Sequence, residues 1–356
     1  RDAVLRRVLH LRDAVPRVGT ALEAADVTRI ACTVPLDAPG RHVGHLAVPF
    51  SDDAHAYGVI PVPIAVLGGG GGPTVLLAAG VHGDEYEGQI VLRRLLRTLD
   101  PARLAGKLIV LPALNLPAVR AARRTSPVDG ANMNRAFPGD PDGGPTAQLA
   151  HYVETHLLPR CQAALDLHSG GTASEYLPCS YVYSGGPMAA AKAAMADAFG
   201  APISVVVGAT AETRSLSAAC ERQGVPMIAT ELGGGGFVSH AALAVADAGT
   251  SAVLRHLGLL PTAPDDATRR TRRVQVPHRS HFLMCPATGL FEPLVALGDS
   301  VEIGTPAGWL HDADDPAVPP IAVSFASAGM VVARRLPALA RRGDYLFTTA
   351  VPLETP

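Results

Sequence analysis

Apolar runs alternating with amphipathic stretches constrain this chain more than any other feature. Residues 74–81, 107–114, 163–168, 203–207 and 226–232 are mostly apolar. Between them, 84–99, 146–158, 187–199, 213–223 and 241–257 carry apolar residues at helical spacing. A strand that is apolar at successive positions must be covered on both faces, which needs helices above and below it. The expected fold is therefore an α/β domain whose sheet is mostly parallel or mixed, with helices on both faces.

The flanking segments read differently. Residues 1–25 suggest a short amphipathic helical leader, and 27–67 read as strands. The glycine run at 68–72 is expected to be a turn. It is not a phosphate-binding loop, because no Gly-Lys-Ser/Thr follows. Prolines, an Asp pair and four arginines mark a linker near 260–273. Beyond it, short apolar segments punctuated by glycine predict a small all-β sandwich without a long helix. The expected organisation is an N-terminal extension at 1–45, an α/β domain at 46–260, a linker at 261–273 and a β domain at 274–356.

Bulk properties exclude several function classes. The formal net charge is −2 and charged residues make up 17% of the chain, so no basic face for nucleic acid is indicated. No apolar run reaches the roughly 20 residues that a membrane-spanning helix needs, and the first residues are too charged for a signal-peptide core. The five cysteines, Cys32, Cys161, Cys179, Cys220 and Cys285, are scattered without a CxxC pair. That argues against a disulfide framework or a thiolate metal site and for a reducing cytoplasm.

Four apolar runs end in a polar residue out of character with the rest: His82, Asn115, His168 and Glu231. In an open parallel sheet, ligands bind outside the carboxyl ends of the strands. Four strands thus direct polar groups to one rim. His82 and Glu85 stand one turn apart at the start of a helix, in Gly80-Val81-His82-Gly83-Asp84-Glu85, so both can reach one ion. With His168 they make the two-His, one-carboxylate set of a catalytic zinc, one ion per chain, that leaves a position open for water. Magnesium and calcium prefer all-oxygen sets. Asp166 stands two residues before His168 and either orients its ring or makes a solvent or helix-cap contact. Glu231 is a carboxylate inside an apolar run, next to the glycines at 233–236. It is expected to be a proton carrier beside the metal or one half of a structural salt bridge. The long segment 115–145 holds Arg120, Arg123, Arg124, Asn132, Asn134 and Arg135. Arginine can grip a carboxylate with two parallel hydrogen bonds or stabilise a developing oxyanion.

Taken together, Gly80-x-His82-Gly83-x-Glu85, Asn132-x-Asn134-Arg135, Asp166-x-His168 and Thr230-Glu231 resemble the succinylglutamate desuccinylase/aspartoacylase family, relatives of the zinc carboxypeptidases. The resemblance covers about 55–350. It implies His82, Glu85 and His168 as zinc ligands, Glu231 as general acid/base, and Arg135, Asn134 and Arg124 as groups that meet the substrate. It also implies hydrolysis of the amide of a small N-acyl amino acid. Within the family, the segments starting at His82, Arg124, Asn132, His168 and Thr230 are most similar to the N-alpha-acetyl-L-2,4-diaminobutyrate deacetylases of ectoine degradation.

We assign Arg135 to the oxyanion side as a catalytic residue, and Arg124, Asn132, Asn134 and Glu292 to substrate binding. A substrate ammonium would need an acidic partner, for which Asp129, Glu175 and Glu292 are candidates. Glu292 is favoured if the turn Gly289-Leu290-Phe291-Glu292-Pro293 lowers over the site. The β segment also resembles biotinyl/lipoyl-type sandwiches, but 274–352 contain no lysine to carry such a group, so a wall or lid is expected. Competing readings are another N-acyl amino acid deacylase of the family, a zinc carboxypeptidase acting on peptides, and a metal-free binding relative. The sequence leaves room for a homo-oligomer.

Overall fold

The computed structural model describes residues 28–208, 212–263 and 270–353; the helical leader expected at 1–25 lies outside the described residues. The strands up to the third helical segment are β1 (Ala31–Cys32), β2 (Gly40–Asp52), β3 (His55–Gly68), β4 (Thr74–Ala79), β5 (Lys107–Leu111) and β6 (Ala163–His168). There follow β7 (Ser174–Tyr176), β8 (Cys179–Tyr183), β9 (Ile203–Val207) and β10 (Met227–Glu231). The helices are α1 (Glu87–Thr98), α2 (Leu116–Arg120), α3 (Pro145–Tyr152), α4 (Ala189–Phe199), α5 (Leu216–Arg222) and α6 (His240–His256).

At the centre of the main sheet, β5, β4, β6 and β10 run mutually parallel in that spatial order. Strands β3 and β8 flank them antiparallel. Alternate residues of one strand enter opposite cores. Leu76 and Ala78 pack with Leu149, Val153 and Leu216 on one face, while Val75, Leu77 and Ala79 pack with Leu92, Phe199 and Val253 on the other. Burial on both faces is the physical reason the runs lack alternation. The α/β expectation holds, with a mixed sheet. Three of the helices, α1, α4 and α5, are shorter than the periodicity suggests. Residues 84–86 remain outside α1, where they carry Glu85, and α3 passes into a π turn at Val153–Leu157.

The C-terminal strands are β11 (Arg272–Gln275), β12 (Phe282–Met284), β13 (Gly289–Pro293), β14 (Ser300–Val301), β15 (Pro306–His311), β16 (Ile321–Ser324), β17 (Gly329–Arg335), β18 (Leu339–Ala340) and β19 (Tyr345–Pro352). A four-stranded sheet β16-β15-β13-β18 packs on β19, β17 and β14 around Phe325, Val331, Leu346 and Phe347, as a sandwich. Two expected boundaries fall inside strands. Residues 40–45 belong to β2, which pairs along β3. Strand β11 starts within the expected linker and joins β9 to β19, so the main sheet runs on into the sandwich. Strand β7 ties in a second time by pairing with β17. No helix among the described residues is long and apolar enough to cross a membrane.

Candidate metal centre and active site

Three of the four central strands, β4, β6 and β10, bring their polar ends to one rim. Just beyond β4 the chain turns to present His82, with Glu85 three residues further on; His168 and Glu231 are the last residues of β6 and β10. The turn requires Gly83, because a Cβ there would stand 2.0 Å from the Ala118 carbonyl oxygen. Its N–H donates to the Arg123 carbonyl at 2.8 Å, which ties the His82 turn to the arginine-bearing segment.

His82 Nδ1 lies 2.6 Å from Glu85 Oε1, and His168 Nδ1 lies 2.7 Å from Glu85 Oε2. The far nitrogen of each ring is also held. Asn132 Oδ1 is 3.2 Å from His82 Nε2, and Asp166 Oδ2 is 2.7 Å from His168 Nε2. All three candidate ligands are buried, and their ligating atoms lie within 4.8 Å of one another. This donor set fits zinc. Two imidazoles fixed by partners on Nε2 present Nδ1 to the same carboxylate, the arrangement in which outer hydrogen bonds set the ring tautomer of a metal ligand. The electrostatics agree. Burial alone would depress His168, yet the charges of Asp166 and Glu85 hold it well above its ordinary pKa. Burial alone would raise Glu85, yet His168 and His82 hold it below the usual carboxylate range. The cluster is a place where positive charge is strongly favoured.

Glu231 is in register with His168, and both face the same side of the sheet. Its Oε2 is buried without a hydrogen-bond partner. Burial, and after it the charge of Glu85, push its carboxyl well above the ordinary value. A carboxyl whose pKa is raised in this way suits the role of a proton carrier. Gly234, beyond β10, could not be another residue: φ is +143° and a Cβ would lie 2.0 Å from the Ser174 carbonyl oxygen. This close approach brings the β7 segment against the site.

A cavity of about 310 Å³ opens over this rim, lined by His82, His168, Glu231 and Asp166 together with Arg124, Arg135 and Asn134. Arg124 Nη1 stands 3.3 Å from His82 Nδ1 and 3.5 Å from Glu85 Oε1. Arg135 lies farther along the wall, its Nε 2.9 Å from Glu212 Oε2 and its Nη1 donating to the Asn134 carbonyl at 2.7 Å. Asn134 Oδ1 accepts from Leu216 N at 3.0 Å, which pins this wall to α5.

Other expected site residues stand elsewhere. Asn132 does not line the cavity; its Oδ1 holds His82 and accepts from Asn134 N at 2.9 Å. Asn115 caps α2 by accepting from Ala118 N at 3.4 Å. The Gly289–Pro293 segment is a strand, not a turn, and Glu292 is exposed on it, paired with His311 at 2.8 Å and outside the cavity. Its carboxylate is not lowered over the rim, because β13 is fixed between β15 and β18. Asp129 accepts from the Thr146 backbone and hydroxyl, and Glu175 pairs with Arg334 at 2.6 Å. The cavity also includes Tyr176, Tyr181, Tyr183 and Glu212, which the sequence reading missed. Tyr181 and Tyr183 alternate on β8, and the Tyr-x-Tyr spacing beside a rim strand was the available signal. Glu212 lies in an irregular segment that gives no such signal.

Comparison with known proteins bears on this site. The model of the succinylglutamate desuccinylase/aspartoacylase catalytic domain matches residues 71–257. The N-alpha-acetyl-L-2,4-diaminobutyric acid deacetylase of Halomonas elongata is 37% identical over 328 residues, covering 92% of this chain and 96% of that one. The product-bound structure of the ectoine utilization protein EutE (DoeB) from Ruegeria pomeroyi superposes with a TM-score of 0.88 at 36% identity, over 92% of this chain and 100% of that one. A succinylglutamate desuccinylase/aspartoacylase from Rhodobacter sphaeroides gives a TM-score of 0.87 at 36% identity, over 92% and 99%.

Proposed function

This chain belongs to the succinylglutamate desuccinylase/aspartoacylase family, and from that premise we propose that it is a zinc-dependent deacetylase of N-alpha-acetyl-L-2,4-diaminobutyrate, releasing acetate and the diamino acid in ectoine catabolism. The observation that carries the reading is the convergence of His82 Nδ1 and His168 Nδ1 on the two oxygens of Glu85, beside the unpartnered Oε2 of Glu231. The scattered cysteines support a cytoplasmic home.

His82, Glu85 and His168 would hold the zinc. When bound, the ion supplies Lewis-acid polarisation of the acyl carbonyl and makes water a competent nucleophile at neutral pH. Glu231 takes the proton from the attacking water and delivers it to the leaving nitrogen, so that the amine departs neutral. Asp166 accepts the Nε2 proton of His168 and thereby keeps Nδ1 available as a ligand. Asn132 does the same for His82.

The arginines divide the remaining work, and their positions support the reverse of the sequence-based assignment. Arg124 is next to the ligand set, where charge develops on the acyl oxygen, so it serves the oxyanion. Arg135, farther along the wall, serves the substrate α-carboxylate. Arg124→Lys is expected to lower kcat by about 10²–10³-fold, the usual effect of losing one oxyanion donor. Arg135→Lys is expected to act mainly by raising KM, since a point charge cannot replace the planar fork. Steady-state kinetics of both variants test the division, and unchanged kinetics in either one remove that arginine from its role.

The substrate reading is tested by comparing catalytic efficiency on N-alpha-acetyl-L-2,4-diaminobutyrate, N-acetylaspartate, N-succinylglutamate and a dipeptide panel. The acetylated diamino acid is expected to be the best substrate. A clear preference for an acidic substrate or for peptides would replace this reading with one of the other family activities.

A further inference from the structure

The proposed substrate carries two charges that the zinc cluster does not address, an α-carboxylate and a side-chain ammonium. The ammonium loses part of its hydration on entering the site and needs an anion there. Asp129, Glu175 and Glu292 are engaged elsewhere. Three acids line the cavity: Asp166, Glu212 and Glu231. Asp166 is buried and bonded to His168 Nε2, and Glu231 has the proton to move.

Resting on the deacetylase reading above, we propose that Glu212, on the cavity wall, is the subsite that receives the substrate's side-chain ammonium and sets the preference for a diamino acid. The backbone fixes this carboxylate: Glu212 Oε1 accepts from Arg214 N at 2.7 Å. That bond, with the nearby charges of Arg135 and Arg214, holds its pKa below the ordinary value, so it meets the substrate ionised. An ionised carboxylate has about four acceptor positions, enough for an ammonium to join the donors already present. Arg135 Nε lies 2.9 Å from Glu212 Oε2. Cation and anion therefore stand side by side on the wall.

The substrate presents the complementary arrangement. Its carboxylate and ammonium are separated only by Cα and two methylenes, roughly 5 Å when extended. With the α-carboxylate on Arg135, the ammonium reaches the neighbouring Glu212, and each substrate charge meets its opposite. N-acetylaspartate in the same pose would set its side-chain carboxylate against Glu212, so the same residue selects against acidic substrates.

The test uses the zinc-loaded full chain and three substrates: N-alpha-acetyl-L-2,4-diaminobutyrate, N-acetyl-L-norvaline, whose terminal methyl replaces the ammonium, and N-acetylaspartate. The wild type is expected to prefer the diamino substrate. In Glu212→Gln, the ratio of kcat/KM for the diamino substrate over the norvaline analogue is expected to fall at least tenfold, chiefly through KM, and N-acetylaspartate is expected to gain relative to both. Glu212→Asp, which keeps the charge, should retain a preference between those of the wild type and the Gln variant; it also covers the case in which the Gln variant does not fold. A wild-type preference that survives unchanged in both variants overturns this assignment and leaves the deacetylase intact. So does an equal loss on all substrates, which would make Glu212 only a support for Arg135. A wild type that prefers N-acetylaspartate overturns the deacetylase reading, and the ammonium subsite falls with it.

Discussion

Glu231→Gln is expected to lower kcat by about 10²–10⁴-fold, the usual contribution of a positioned proton carrier, while zinc content stays stoichiometric. The amide keeps the shape of the carboxylate, so the β10 backbone, its register with β6 and the neighbouring His168 have no cause to move. What disappears is a group that can accept a proton in one step and give it up in the next. Stability should not fall. In the parent, burial and the charge of Glu85 both oppose ionisation of this carboxyl, and one of its oxygens is buried without a partner. A neutral amide has no charged form for burial and Glu85 to oppose, although it leaves its own polar atoms to satisfy. Turnover of N-alpha-acetyl-L-2,4-diaminobutyrate, metal analysis and a melting curve of the same preparation check all three parts. A variant that turns over at a near-normal rate removes Glu231 from the mechanism. One that loses zinc shows the residue to be part of the metal site instead.

What could be read in the sequence divides along a physical line. The central strands were legible because burial on both faces leaves a continuous apolar signature, and a polar residue at the end of such a run stands out. His82, His168 and Glu231 stand out in that way, and Glu85 through its spacing from His82. Residues that reach the cavity from irregular backbone carry no comparable periodicity. Glu212 lines the wall beside Arg135, a placement that only the tertiary structure fixes. The acids proposed for the substrate amine failed for the same reason in reverse: Asp129, Glu175 and Glu292 each have a local partner that the sequence could not reveal. The chain breaks expected from composition fall within β2 and β11. Hydrogen bonding into a sheet leaves no trace in polarity when half of a segment's residues face solvent.

His82→Ala is expected to lose both zinc and activity. The rim gathers two buried carboxylates, Glu85 and Asp166, around two imidazoles, with Glu231 beside them. Such a concentration of negative charge away from water is tolerable only with compensating cations. Replacing the group that hydrogen-bonds a ligand's far nitrogen costs about 10–100-fold in metal affinity, and deleting a ligand should cost more than that. His82 also holds Glu85 Oε1 at 2.6 Å, so its loss frees one arm of the carboxylate that His168 shares. A ligand bound only to the folded state stabilises it by about 4 kcal/mol at 1,000 times its Kd. Chelation should therefore lower the melting temperature of the wild type by several degrees and leave that of the variant, which has no zinc to lose, nearly unmoved. The contrast between the two melting shifts separates loss of metal from loss of fold. If His82→Ala keeps stoichiometric zinc at this site, or if chelation shifts both proteins equally, His82 is not a ligand and the centre must be rebuilt around Glu85, His168 and another donor.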